Sequence, residues 1–137
     1  MPSSKASPRK GSSKAASAAA EVRCRVDLRL LTGCYGWRAQ GLDSGNIQVA
    51  AVGYFFFGPA AGQVSGAYSG SHGGNQVFRT FTGTVTVNRS TGFGFMEITD
   101  NANATEVFDF VTADQGKELY LTHKRPGTVV TYSCKKL

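Results

Sequence analysis

From Gly33 onward the chain alternates apolar and threonine-rich runs with clusters of turn formers, repeating at intervals of about ten residues. Eight strands are predicted, over 34–40, 47–57, 63–68, 76–87, 92–99, 106–113, 118–123 and 128–134. The breaks between them, at 42–46, 58–62, 71–75, 88–92, 100–103, 114–116 and 124–127, each hold Gly, Pro, Asn or Asp, the residues a tight turn needs for positive or fixed φ. No stretch of helical length shows a 3.6-residue period. Short connections favour an up-and-down meander. The clearest alternation runs over 77–87. Val77, Arg79, Phe81, Gly83, Val85 and Val87 share one face, and Phe78, Thr80, Thr82, Thr84 and Thr86 the other. A threonine ladder suits solvent, so the first set is expected to face inward, Arg79 with it.

An open eight-stranded sheet would leave two bare edges and one uncovered apolar face, with no helix to cover it. Closure removes both problems. The expected fold is therefore all-β, a closed antiparallel up-and-down barrel of about eight strands with a disordered N-terminal tail, its interior wide enough for side chains or one small ligand. A two-sheet sandwich is the runner-up. Glycines inside predicted strands (Gly36, Gly53, Gly66, Gly83 and Gly94) read as bends in tightly coiled strands.

Charge divides the chain in two. The net charge is +6, but residues 1–25 hold six basic residues and one acidic, and the remainder nine basic and eight acidic. The domain itself, expected over 23–137, is almost neutral, so the basicity argues for no nucleic-acid-binding face on it. Residues 1–22 are rich in Ser, Ala and Lys, with no large apolar side chain between Met1 and Val22. They read as a disordered basic tail; an interaction with an acidic partner through that tail is one functional hypothesis. Its Ala-rich end resembles the end of a signal peptide without the apolar core, and its composition also resembles a transit peptide. No apolar run is long enough for a transmembrane helix. Three cysteines (Cys24, Cys34 and Cys134) and two histidines in no ligand spacing exclude an ordinary structural zinc site. A disulfide from Cys134 to Cys24 or Cys34 and three free thiols stand as even alternatives.

Several segments together resemble a known group. They are Leu30-Leu31-Thr32-Gly33-Cys34-Tyr35-Gly36, Ala51-Val52-Gly53, Phe81-Thr82-Gly83-Thr84-Val85-Thr86-Val87-Asn88 with Thr91-Gly92, Phe108-Asp109-Phe110-Val111, Asp114-Gln115-Gly116-Lys117-Glu118-Leu119-Tyr120-Leu121, and Pro126-Gly127-Thr128-Val129-Val130. The set is similar to a group of small, mostly exported bacterial β-barrel proteins of unassigned function. It covers about residues 24–134, and its motifs are those of strands and turns. The resemblance implies a calycin-like or allene-oxide-cyclase-like barrel and an exported protein. Members often carry Cys where this chain has Ser90, and no substrate comes with the resemblance.

Candidate chemistry follows from the expected interior. Arg79, Glu97 and Asp109 are the catalytic candidates, charged groups expected to cross an apolar lumen. There an Arg could anchor an acid, and a carboxylate could serve as general acid or base. Tyr35, Trp37, Tyr54, Phe81, Phe95 and Tyr120 are the candidates for lining a ligand pocket. In the run Tyr54-Phe55-Phe56-Phe57 at least two rings must point outward, and apolar residues on both faces of 92–99 and 106–113 suggest a partner surface or a homo-oligomer. His72, in a Gly-rich break, and His123, at a strand end, read as exposed. No nucleophile triad or phosphate loop is present, and no cofactor is expected. The reading these residues favour is a small-molecule-binding barrel holding a mostly apolar or weakly acidic ligand. A cofactor-independent isomerase or cyclase acting in the same lumen is the alternative.

Overall fold

A computed structural model describes residues 24–137, and the expected tail at 1–22 lies outside them. Eight strands run in order: β1 (Gly33–Leu42), β2 (Gln48–Phe57), β3 (Gln63–His72), β4 (Asn75–Val87), β5 (Gly94–Asp100), β6 (Thr105–Ala113), β7 (Glu118–His123) and β8 (Val129–Lys136). Each pairs antiparallel with its neighbours, and β1 pairs with β8 as well as β2, so the sheet closes. The closed antiparallel meander expected from the alternation is the fold observed. No described helix is long and apolar enough to cross a membrane.

The two ends of the barrel differ because the inward residues differ in size. Toward one end stand Tyr35, Phe55, Val64, Val85, Phe110 and Leu119, all buried in one cluster. The chain entering β1 crosses that end. Its 3-10 turn, Leu28–Leu30, is capped by Asp27, and Val26 and Leu31 are buried against the cluster. Val26 N–H donates to Gly92 O at 2.9 Å, and the Tyr35 hydroxyl donates to Gly116 O at 2.6 Å. The entering chain plugs this end, leaving a hollow between the 3-10 turn and the β2–β3 turn.

Strand phase in β4 is as the threonine ladder indicates: Phe81 and Val85 are buried, and Thr80, Thr82, Thr84 and Thr86 are exposed. In the aromatic run, Phe55 and Phe57 pack on Tyr35 at centroid distances of 5.4 and 5.3 Å, while Tyr54 and Phe56 project into solvent. The glycines inside strands do more than bend them. A Cβ on Gly94 would lie 2.2 Å from the Phe110 ring, and one on Gly53 2.6 Å from the Trp37 indole. Each glycine is the recess that lets a neighbouring strand's ring lie against the backbone.

All three thiols are free. Cys34 is exposed on the outer face of β1, whereas Cys134 is buried inside and sits opposite Trp37. The pleat therefore sends these two side chains to opposite sides of the wall, which rules out a Cys34–Cys134 bridge, and of the two alternatives the free thiols are the one observed.

Candidate functional site

Toward the open end the inward positions shrink. Ala39 of β1 faces Ala51 of β2, which faces Gly70 of β3. Three small residues in one row leave space that the rings below do not fill. The result is a cavity of about 200 Å³, open at the mouth, lined by Ala39, Ala51 and Val130 and by the rings of Trp37, Tyr68, Phe81, Phe108 and Tyr132. Trp37 lies between Tyr68 and Tyr132, with centroid distances of 5.8 and 6.1 Å. Phe108 meets Tyr132 edge-on at 5.0 Å.

Two polar clusters ring the mouth, both among the residues lining the cavity. His123, at the end of β7, faces Glu106, at the start of β6, and Nε2 of the ring contacts the carboxylate. Arg125 places Nη2 3.0 Å from each Glu106 oxygen. The Arg125 backbone N–H donates to His123 Nδ1 at 2.9 Å, which leaves the ring proton on Nε2 for donation to Glu106. The Glu106 carboxylate is thus held from two sides, and the cluster stitches β6 to the β7–β8 turn. Across the mouth His72 Nε2 contacts Asp43, whose carboxylate also accepts from the backbone N–H groups of Gly45 and Ile47 at 3.0 and 3.2 Å. The His72 bond, with these two, holds the Asp43 carboxyl below its ordinary range.

Deeper in, the uncommitted polar atoms are phenols. Tyr68 and Tyr132 are inward and part-buried, and neither hydroxyl has a hydrogen-bond partner among the described residues. Burial raises the pKa of both. Nearby carboxylates raise both further, Asp100 ahead of Glu106 at Tyr68 and Glu106 at Tyr132, against opposing effects of Arg79 and Arg125. Both therefore stay protonated at neutral pH. Trp37 Nε1 and Thr128 Oγ1 are buried in the wall, also without a partner among the described residues.

The expected site residues divide. Trp37 and Phe81 line the cavity. Tyr35 faces inward but belongs to the packed end, its hydroxyl already bonded. The lumen position expected of Glu97 and Asp109 is corrected: both stand on the outer face, Glu97 exposed and Asp109 paired with Lys124 Nζ at 3.1 Å. Phe95 is also outward, under Lys124 at 5.8 Å. Tyr54 and Tyr120 are about half exposed on the outside, and Tyr120 donates to Glu118 at 2.6 Å. Arg79 keeps its inward phase, opposite Tyr68. Its guanidinium turns back to Phe78 O at 3.0 Å, on a part of β4 that β5 does not reach. It caps a strand edge rather than lining the cavity.

The error in β5 and β6 is a slip of one residue, which exchanges the two faces of a strand. Glu106, Phe108 and Phe110 share the inner face of β6, and Leu119, Leu121 and His123 that of β7. The usable signal was the weight of the rings: two phenylalanines in phase with Glu106 outweigh two valines in phase with Asp109. The reading of His123 as exposed is corrected likewise, since its side chain is 5% exposed. His72 is the last residue of β3 rather than part of a loop.

A scan of protein-family models finds no match for this chain. Neither does a search of curated proteins. Among solved structures it is similar to a de novo designed fluorescence-activating β-barrel, at a TM-score of 0.55 and 10% identity, covering 80% of this chain and 96% of that one. That likeness is one of fold: a small closed barrel.

Proposed function

We propose that the protein binds a small, mostly apolar molecule in the open half of its barrel. One observation carries the reading: the lumen is not filled, and about 200 Å³ lined mainly by aromatic and aliphatic side chains opens at the rim. Binding sites of this kind are concave, mostly apolar and furnished with a few fixed polar groups. The fold likeness to a fluorescence-activating barrel is in keeping with it. Native mass spectrometry of the gently purified full chain, with identification of whatever is released on denaturation, tests the proposal. A bound molecule that disappears in Ala51→Leu is expected. Retention of that molecule by Ala51→Leu would put it outside the lumen and overturn the reading.

A second reading, a cofactor-independent isomerase or cyclase, is favoured by the neighbourhood of Tyr68, Tyr132 and Glu106. Phenols and a carboxylate in one enclosed space are groups that hold and move protons. The resemblance to allene-oxide-cyclase-like barrels points the same way, as an analogy of fold. Its signature is turnover of the bound molecule that falls in Tyr132→Phe while affinity stays within about a factor of a few.

A further inference from the structure

We infer that the lumen selects a neutral ring compound bearing a carbonyl oxygen, with the Tyr68 and Tyr132 hydroxyls that line it as the donors open to that oxygen. The inference rests on the lumen being a ligand site and names the chemistry it takes.

Size sets the first limit. An apolar cavity of about 150 Å³ accepts a benzene ring, so one of about 200 Å³ takes a substituted ring or a small fused bicycle. The walls set the second. Trp37, Phe81, Phe108 and Tyr132 offer faces and edges to a flat partner. Polarity sets the third. Every charged group at the mouth is already matched: Glu106 with His123 and Arg125, and Asp43 with His72. Arg79, which an acidic ligand would need, is turned away to Phe78 O. What is left uncommitted in the lining is a set of donors: the Tyr68 and Tyr132 hydroxyls, whose rings both pack against Trp37, with the Trp37 Nε1–H and the Thr128 hydroxyl in the wall beside them. A protonated phenol donates, so the complementary group is an acceptor. An anion there would face the Glu106 carboxylate and lose its hydration in an apolar space. A neutral carbonyl oxygen accepts from such a donor without that cost.

Three probes of matched size separate the possibilities: indane, which has no acceptor; 1-indanone, which adds one carbonyl; and benzoate, which is anionic. Each is titrated calorimetrically into the full chain. The expected order is 1-indanone tightest, up to about tenfold over indane, as one good hydrogen bond implies, with benzoate weakest. In the double variant Tyr68→Phe/Tyr132→Phe the rings remain and the hydroxyls go. There the preference for 1-indanone over indane is expected to fall to about twofold or less, with indane affinity unchanged. The carbonyl stretch of bound 1-indanone, lowered in the wild type, should return toward its value in an apolar solvent. The wild-type comparison needs no variant, so a misfolded double variant does not decide the matter. Equal binding of indane and 1-indanone would overturn the carbonyl inference and leave the lumen reading standing. Benzoate as the tightest ligand would overturn it in favour of an anion site at Arg125. No binding of any of the three would count against the lumen reading itself.

Discussion

Replacing Ala51 with leucine asks whether the cavity is a real space, and the sign of the answer is diagnostic. Ala51 lines the lumen between Ala39 and Gly70. Leucine adds three carbons. Each displaces roughly one water's share of the liquid, about 30 Å³, so together they occupy less than half of the roughly 200 Å³ present. Burying three carbons at about 0.8 kcal/mol each contributes about 2.4 kcal/mol at most, and fixing the leucine rotamer costs about 0.5–1 kcal/mol. The variant should therefore be more stable by about 1–2 kcal/mol, which for a domain of this size raises Tm by about 5–10 °C. Ligand or probe binding should be lost at the same time, since the leucine side chain occupies the space a ligand would take. Ala50→Leu, the adjacent outward and exposed position, is the control and should change Tm little. The assay is a thermal melt and a guanidinium titration of all three proteins, with 1-indanone titrated into each. A filled lumen would instead respond as an overpacked core, losing about 1–3 kcal/mol. A fall in stability for Ala51→Leu alone would refute the cavity and every argument built on it.

Gly53→Ala would set a Cβ 2.6 Å from the Trp37 indole and 2.5 Å from Ala67 O. A loss of about 1–3 kcal/mol is expected, with a shifted emission maximum from the chain's sole tryptophan. A thiol reagent on the native protein should label Cys24 and Cys34 quickly and Cys134 only after unfolding, read by mass. Burial pushes the Cys134 thiol up to about 12 from an ordinary 9.0. The unfolded chain thus releases that proton first. The stabilisation is complete below pH about 9 and is lost as pH rises through about 12. Guanidinium midpoints measured across that window should fall more steeply for wild type than for Cys134→Ala. Glu106→Gln leaves Arg125 without its carboxylate, and since Arg125 is about half exposed the cost is modest, about 1–2 kcal/mol. A guanidinium titration of this variant measures it, and an unchanged midpoint would mean that the cluster does not hold the mouth.

The architecture was legible because two independent signals agreed. Turn formers punctuate the chain at every strand junction, and period-two alternation in β4 separates Phe81 and Val85 from the threonines that face water. Closure followed from what was missing, a helix to cover an open sheet. Trp37 and Phe81 were legible as lining residues because their strands have one apolar and one polar face. β5 and β6 do not. Phe95 and Val107 sit outside while Met96 and Phe108 sit inside, so the pattern is apolar on both sides and leaves the phase open. Every misplaced carboxylate lies in those two strands.

The mouth clusters were illegible for another reason, which bears on what this barrel can do. Asp43 and His72 are 29 residues apart, and Glu106 and His123 are 17 apart. No local spacing announces either pair; only the stagger of a closed sheet brings β1, β3, β6 and β7 to one rim. That rim is electrically self-contained, each carboxylate being bonded to a histidine and backed by Arg125 or by backbone N–H groups. A ligand passing it finds no free ion to hold, and its orientation must come from below, from the part-buried phenols between the rings. A charged ligand would have to break one of the rim pairs, leaving a partly buried charge unpaired at a cost of a few kcal/mol. A neutral acceptor breaks none. The rim therefore discriminates by admitting what it does not bind, and the preference for a carbonyl over a carboxylate should survive loss of either histidine so long as Tyr68 and Tyr132 remain.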